Sequence, residues 1–450
     1  MKITILGGGP AGLSAGFYAK KHNISFIIFE AENHLGGSAK TIRHGDFLFD
    51  SGAHRFHDRD KEVTGDVRAL LDGELKKIEA QSQIYSEGKF LDFPLSFLNL
   101  LMNLGVPSVL KAAYDLLNSR FNGKRGRNKN FENYALYKYG KTIAYKFLFP
   151  YSEKLWGERC SQLSLEVVGN RLKGLDIKTL FTEFFFSKKV KTEHLDGTFL
   201  YPTLGGIGSI SDKLAIFCGE DNIQRNAKII KIVHDSEMIQ AIEVNGNQTV
   251  ETEEVLSTLP ISQFIQMMEP APPVDVLLIS EDLRYRYLIL VAILLDRDSV
   301  SPNASVYFPD SDIPFTRIYE PKNRNPLMAP SGKTSLVAEI PCQFGDIVWT
   351  EKESRLVQRV TSYLVKENFI DEKDILGTSV HRIRYAYPVL DVDSVKKIEQ
   401  IKGYLNGFSN LNLLGRSGQF KYLHIHDLFK SAKGVISSYS TKLSHGKIEG

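Results

Sequence analysis

The chain has 450 residues, too many for one hydrophobic core, and its 42% hydrophobic and 24% charged residues are those of an ordinary globular protein. A net charge of +3 gives no global pull toward nucleic acid, and Cys160, Cys218 and Cys342 are spaced for neither a metal site nor a disulfide framework. That cysteine usage, with an N-terminus that runs straight into a strand and leaves no room for a signal peptide, points to the cytoplasm.

In chain order, Lys2 to Leu6 is short, apolar and β-branched, and predicts a buried strand. Gly7, Gly9 and Gly12 then supply G-x-G-x-x-G, with Pro10 and Ala11 where a helix opens. The helix runs to Lys20, and Ser25 to Phe29 reads as a second buried strand ending at Glu30. The first glycine permits the tight turn, the second lets backbone approach a pyrophosphate, and the third lets helix and strand pack closely. The helix N-terminus offers free N–H groups and a positive dipole, and Glu30 stands where a ribose hydroxyl is gripped. Strand, glycines, helix, strand and acid in register predict binding of an adenine dinucleotide.

Gly36, Gly37, Ser38 and Thr41 follow, a second glycine pair that NAD alone does not need but a larger cofactor does. Phe47 to Phe56 reads as a strand running into a loop with His54 and His57, and residues 58–186 read as mainly helical and aromatic. Within them Phe93 to Leu117 is amphipathic and leucine-rich, and Asn122 to Lys129 is a basic loop. The favoured reading is a helical layer over a core; peripheral membrane contact is the lesser one. Phe199 to Ile210 only superficially repeats the fingerprint, with Ser211 at the third glycine position, and reads as a loop returning to the cofactor domain before a short helix to Phe217. Ile229 to Leu259 alternates like a three-stranded meander with a turn at Asn245–Gly246 and a closing strand at Val255. Strand-like runs recur at Tyr287 to Leu295, Ser335 to Ile340 and Leu411 to Leu414, the last feeding Gly415 to Ala432. There are no internal repeats. The expected division is a discontinuous cofactor domain (1–65, 200–265 and 400–450), a helical substrate or cap region (66–199) and a β-rich substrate domain (266–399).

Together these pieces resemble the flavin amine oxidase superfamily, which includes protoporphyrinogen oxidases, carotene desaturases and UDP-galactopyranose mutases. The nearest likeness is to the mutase branch. GAHRFHD (Gly52 to Asp58) is similar to its Gly-Pro-His-x-Phe-His element, YSEKLWG (Tyr151 to Gly157) to its Tyr-x-x-Lys-x-Trp, and PFTRIYE (Pro314 to Glu320) to its Pro-Tyr-Thr-Arg-Ile-x-Glu. GRSGQFKYLHIHD resembles the closing Gly-Arg-x-x-x-Tyr-x-Tyr-x-x-x-His. The resemblance implies an α/β, Rossmann-type FAD-binding domain of the glutathione reductase-like kind with a discontinuous α+β substrate domain. It implies FAD held by Gly7, Gly9, Pro10, Ala11, Gly12, Glu30, Gly36, Gly37, Ser38, His54, Gly415, Arg416 and Tyr422. It further implies a nucleotide-sugar site at Trp156, Arg171 and Arg317, with His54 and Arg317 as the catalytic pair. Leu175 stands where the mutases carry a second phosphate-gripping arginine, Ala53 replaces a proline and Ser51 a tyrosine. These departures point away from UDP-galactopyranose itself while leaving a sugar nucleotide in general.

Each residue also has a plainer reading. Arg317 could be a buried ion-pair partner of Glu320, Trp156 a core residue, and His54 and His57 hydrogen-bonded loop residues. Tyr385, Tyr387, Arg382 and Arg384 fit either a pocket wall or a half-exposed strand. His424, His426 and Asp427 are not expected to bind metal. The resemblance implies chemistry on a nucleotide- or lipid-linked sugar in cell-surface polysaccharide or glycoconjugate synthesis, through reduced flavin as in the mutases (an isomerase reaction). The alternatives are an oxidase or desaturase of an apolar or amine substrate, and a flavin-binding scaffold without activity. A small-molecule partner is expected, and nucleic acid is not.

Overall fold

Five short segments far apart in sequence meet in one parallel sheet. In the computed structural model, which describes residues 1–93, 95, 97–122, 130–168 and 198–446, its order is β20 (Leu411–Leu413), β13 (Glu254–Ser257), β1 (Lys2–Leu6), β2 (Ser25–Phe29) and β9 (Ile223–Gln224). Parallel strands are covered on both faces, so β1 reads as an unbroken apolar run with Ile3, Ile5 and Leu6 fully buried. Helix α1 (Pro10–Lys21) buries every residue from Pro10 to Ala19, because it lies between this sheet and the C-terminal helix Ile425–Gly446. An amphipathic stripe is therefore absent from α1.

Beside the sheet, β10 (Ile229–His234), β11 (Ile239–Val244) and β12 (Gln248–Glu251) form the expected antiparallel meander, with β14 (Met268–Glu269) parallel to β10. Asn245 and Gly246 take φ of 55° and 77°, the paired positive values of a type I′ turn.

The second body is built on a seven-stranded sheet ordered β19 (Ile375–Pro388), β15 (Tyr285–Leu295), β18 (Thr334–Cys342), β17 (Arg317–Tyr319), β16 (Ser305–Tyr307), β6 (Ser82–Ser86) and β7 (Lys89–Phe93). All eleven residues of β15 are buried. Two small ladders, β3 (Thr41–His44) with β4 (Phe47–Asp50) and β5 (Leu75–Glu79) with β8 (Thr198–Pro202), join the two bodies.

Residues 58–186 depart from the mainly helical expectation, since β5, β6 and β7 lie among them. The overlooked signal is Glu87–Gly88, at φ of 51° and 75°, which closes β6 on β7 as a two-residue hairpin with Ser86 opposite Lys89. Helices α2 (Lys61–Leu70), α3 (Phe97–Asn122), α4 (Phe131–Ile143) and α5 (Phe149–Trp156) surround these strands. As expected, the stretch from Phe93 to Leu117 lies over a core on one side: Leu100 and Val109 of α3 join the cluster with Ile84, Leu91, Ile143 and Phe147, and Leu101, Leu104 and Ala112 pack against it, half-buried. The stretch is apolar on two faces, and its outer face carries the exposed Met102, Val106, Leu110, Tyr114 and Leu117. Arg171, Leu175 and most of the basic loop lie outside the described residues.

Candidate active site

The nucleotide cradle is set by glycines that cannot be replaced for different reasons. Gly7 turns at φ 105° while its N–H donates to the Phe29 carbonyl at 2.8 Å. A methyl on Gly12 would lie 2.0 Å from the Gly7 carbonyl oxygen, so helix and strand close only over a glycine. A methyl on Gly9 would meet nothing nearer than Gly37 Cα at 3.8 Å, which leaves backbone open to a ligand. Gly9 caps α1 without a side-chain acceptor, and Pro10 supplies no donor, so the N–H groups of the following residues have no cap and suit a pyrophosphate.

Glu30 is held in place: one carboxylate oxygen accepts from the Gly8 amide at 2.7 Å and the other from the Glu32 amide at 2.9 Å. Lone pairs remain on both oxygens for ribose hydroxyls. The Gly36 amide donates to the Gly8 carbonyl at 2.9 Å, tying the second glycine pair to the first. Gly415, at φ 80°, approaches Ala11 closely enough that an added methyl would sit 3.3 Å from its Cβ. These contacts fit an extended adenine dinucleotide running from Glu30 past the opening of α1 toward Gly415.

Asp50 organises the loops beneath this cradle. Its buried carboxyl, pushed up in pKa chiefly by burial, accepts from the Tyr201 hydroxyl, from Thr41 Oγ1 at 2.7 Å and from the Ile207 amide at 3.0 Å. A methyl on Gly206 would lie 2.4 Å from both Asp50 and Thr41, so this glycine serves the loop junction.

At the far end, His54 and Arg317 converge through a residue that sequence reasoning missed. Glu339 accepts from Arg317 Nη2 at 2.5 Å and Nε at 3.0 Å on one oxygen, and from the Ala53 amide at 2.8 Å on the other. The proposed partner Glu320 is thereby corrected: it accepts instead from the amides of Val300 and Ser301 and from Thr334 Oγ1. Register decides this, because Arg317 of β17 lies directly opposite Glu339 of β18. Burial opposes the Arg317 charge, and Glu339 more than restores it, holding the guanidinium above its ordinary pKa. A lone acid inside SLVAEIPC was the available signal, since a carboxylate in a buried strand needs a partner.

His54 Nε2 lies 2.9 Å from the Ser38 carbonyl. Burial, then the positive charges of Arg416 and Arg317, push its pKa down to about 3, so the imidazole is neutral. It can accept or relay a proton as a neutral ring but supplies no cation.

The Arg317 guanidinium lies 5.9 Å from the Tyr307 ring, and Tyr151 meets Tyr307 edge-on at 5.6 Å. Tyr387 and Tyr422 stack at 5.9 Å, and Trp156 abuts both. Trp156 is 4% exposed, so its core reading holds in this conformation and it presents no open stacking face. Arg416 lies over Tyr387 and Tyr422 and donates to the carbonyls of Leu423 and Ala386, which makes it a brace for the segment leading into the last helix. Among the described residues no cluster of histidine, cysteine and carboxylate is arranged for a metal.

The fold has solved counterparts. A structure of reduced UDP-galactopyranose mutase superposes with a TM-score of 0.86 at 20% identity, covering 97% of this chain and 94% of that one. Cyclohexylamine oxidase from Brevibacterium oxydans gives a TM-score of 0.69 at 13% identity, over 98% and 99%. The chain shares its fold with these two enzymes. Residues 5–72 match the family model for an NAD(P)-binding Rossmann-like domain. Sequence relatives match over short stretches: mitochondrial protoporphyrinogen oxidase of Nicotiana tabacum is 31% identical over 71 residues, 16% of this chain and 13% of that protein. Ferredoxin–NADP reductase 2 of Listeria innocua is 46% identical over 48 residues, 11% of this chain and 14% of that protein. The chain therefore matches only about an eighth of the length of these relatives.

Proposed function

We propose that the chain is an FAD-dependent enzyme whose substrate is a sugar carrying a diphosphate, with chemistry of the UDP-galactopyranose mutase kind. The observation that carries this reading is the character of the wall around Arg317: a guanidinium with Tyr307, Tyr151 and Tyr387 in its immediate electrostatic surroundings. Aromatic rings with hydroxyl tips and fixed cations suit a sugar and its phosphates, whereas an apolar substrate calls for aliphatic walls. FAD, when bound, supplies the electron-rich or electron-accepting centre. The chain's own residues bind and orient: the opening of α1 holds the pyrophosphate, Glu30 the ribose, and Arg317 the substrate's negative charge. His54, neutral beside Ser38, adds no charge to the site and serves there as a hydrogen-bonding group.

One observation favours the second reading, hydride removal from an uncharged substrate. Glu339 already compensates Arg317, which lowers the net attraction for a diphosphate. The two readings separate in one experiment. Dithionite-reduced protein is incubated anaerobically with a panel of nucleotide sugars and cyanoborohydride, and the released flavin is weighed. A flavin heavier by one sugar residue supports the mutase-type reading and names the sugar; unmodified flavin across the panel overturns it in favour of the oxidase.

A further inference from the structure

We propose that the outer face of α3 docks on a lipid bilayer bearing anionic headgroups, an inference independent of the reaction proposed above. The sequence favours a buried layer here, yet in the stretch Asn99–Ser119, which is long and apolar enough to cross a membrane, only Leu100 and Val109 are buried. Its exposed residues are large, apolar and regularly spaced: Met102, Val106, Leu110, Tyr114 and Leu117, each more than half exposed. After the break at Gly105, spacings of four, four and three residues place Val106, Leu110, Tyr114 and Leu117 on one stripe, and Met102 is exposed on the segment before the break. An apolar stripe of that length on the surface calls for a partner.

The opposite side is fixed to the protein, so the helix lies along the surface. Asp115 accepts from the amide and hydroxyl of Thr142 on α4, Ser119 donates to the Tyr137 carbonyl, Lys89 donates to the Asn103 carbonyl, and Asn99 accepts from the Asp92 amide. Helix α4 comes so near that a methyl on Gly140 would lie 2.9 Å from the Leu116 amide nitrogen. Gly105, at φ 77° and ψ 164°, breaks the helical run, which further suits a segment lying in an interface over one spanning it.

Charge selects the occupant. The nearest carboxylate on α3, Asp115, is turned inward onto Thr142, while Lys111 and Lys141 are exposed. In sequence, Arg120 stands in the last turn of α3, and Lys124, Arg125, Arg127 and Lys129 come just after it, with no acidic residue among residues 120–129. A run of cations immediately after an apolar interfacial helix is complementary to anionic lipid, and each contributes about 1 kcal/mol near such a surface.

The test is co-sedimentation of the full chain with vesicles of phosphatidylcholine alone and of phosphatidylcholine mixed with phosphatidylglycerol, at low and high salt, with light scattering of the free protein. Binding to the mixed vesicles that weakens with salt is expected. Leu110→Glu, at a side chain already 65% exposed, should cut the bound fraction about tenfold without lowering the melting temperature. Replacing Lys124, Arg125, Arg127 and Lys129 together by serine should weaken binding to the mixed vesicles alone. Protein that stays in the supernatant with both vesicles overturns the proposal, as does Leu110→Glu binding undiminished. A dimer that Leu110→Glu converts to monomer overturns it too, and assigns the face to a second copy of the chain.

Discussion

The carboxylate of Glu339 takes the Arg317 guanidinium on one oxygen and the Ala53 amide on the other, so a single buried side chain joins the sheet of the second body to the histidine loop. Glu339 is 2% exposed, and removing it leaves the Arg317 charge buried without compensation. Glu339→Ala should therefore destabilise the protein by about 3–5 kcal/mol, measured by urea unfolding. Adding Arg317→Met to that variant should recover a large part of the loss, because the stranded charge is removed with its partner. Equal stability of wild type and Glu339→Ala would disprove the pairing.

His54 makes stability depend on pH in a known direction. Its folded pKa is pushed from 6.5 down to about 3, so the unfolded chain binds the proton more readily. The contribution is fully present above about pH 6.5 and is lost progressively as pH falls toward 3. Asp50, raised by burial, acts in the opposite sense, gaining stability as it protonates. Subtracting the urea-unfolding profile of His54→Gln from that of wild type isolates the histidine. A flat difference between pH 6.5 and the acid limit would exclude the buried neutral imidazole.

Two glycines of the fingerprint should fail differently. Gly9→Val should fold, since a Cβ there makes only an ordinary contact with Gly37 Cα at 3.8 Å, yet block the pyrophosphate, giving colourless protein with native circular dichroism. Gly12→Ala should lose the fold itself, because the methyl collides with the Gly7 carbonyl. Yellow, flavin-loaded Gly9→Val protein would overturn the assignment of this turn to the cofactor.

Arg317→Lys tests the substrate reading. A lysine keeps the charge but not the planar fork, so the KM for a diphosphate-bearing substrate should rise about tenfold while kcat changes less. Calorimetry with the bare nucleoside diphosphate should show the same loss. Unchanged affinity would remove Arg317 from the substrate site.

The unit from β1 to Glu30 was legible because everything that specifies it is local: one turn, one helix, one acid, in a fixed spacing. The Glu339 junction was not, because its parts come from residues 53, 317 and 339 and only strand register reveals which acid faces Arg317. Glu320, three residues from Arg317, was the natural choice in one dimension, but alternation along β17 and its exit points that carboxylate at Val300, Ser301 and Thr334. Trp156 shows the reverse failure: its motif matched, yet burial against Tyr387 and Tyr422 is a property of packing that no motif encodes. The hairpin of β6 and β7 was readable from Glu87–Gly88 and was overshadowed by the helical tracts around it.

The order of strands in the parallel sheet also bears on how the polypeptide is made. During translation β1, α1 and β2 emerge together, but β13 (Glu254–Ser257), on the other side of β1, is released much later, and the edge strand at Leu411 to Leu413 later again. The helix that covers α1, Ile425–Gly446, arrives later still. Until then the nascent chain carries a bare, apolar sheet edge, the kind of surface that chaperones shield. The nucleotide-binding sheet is thus completed only after the whole second body has been synthesised.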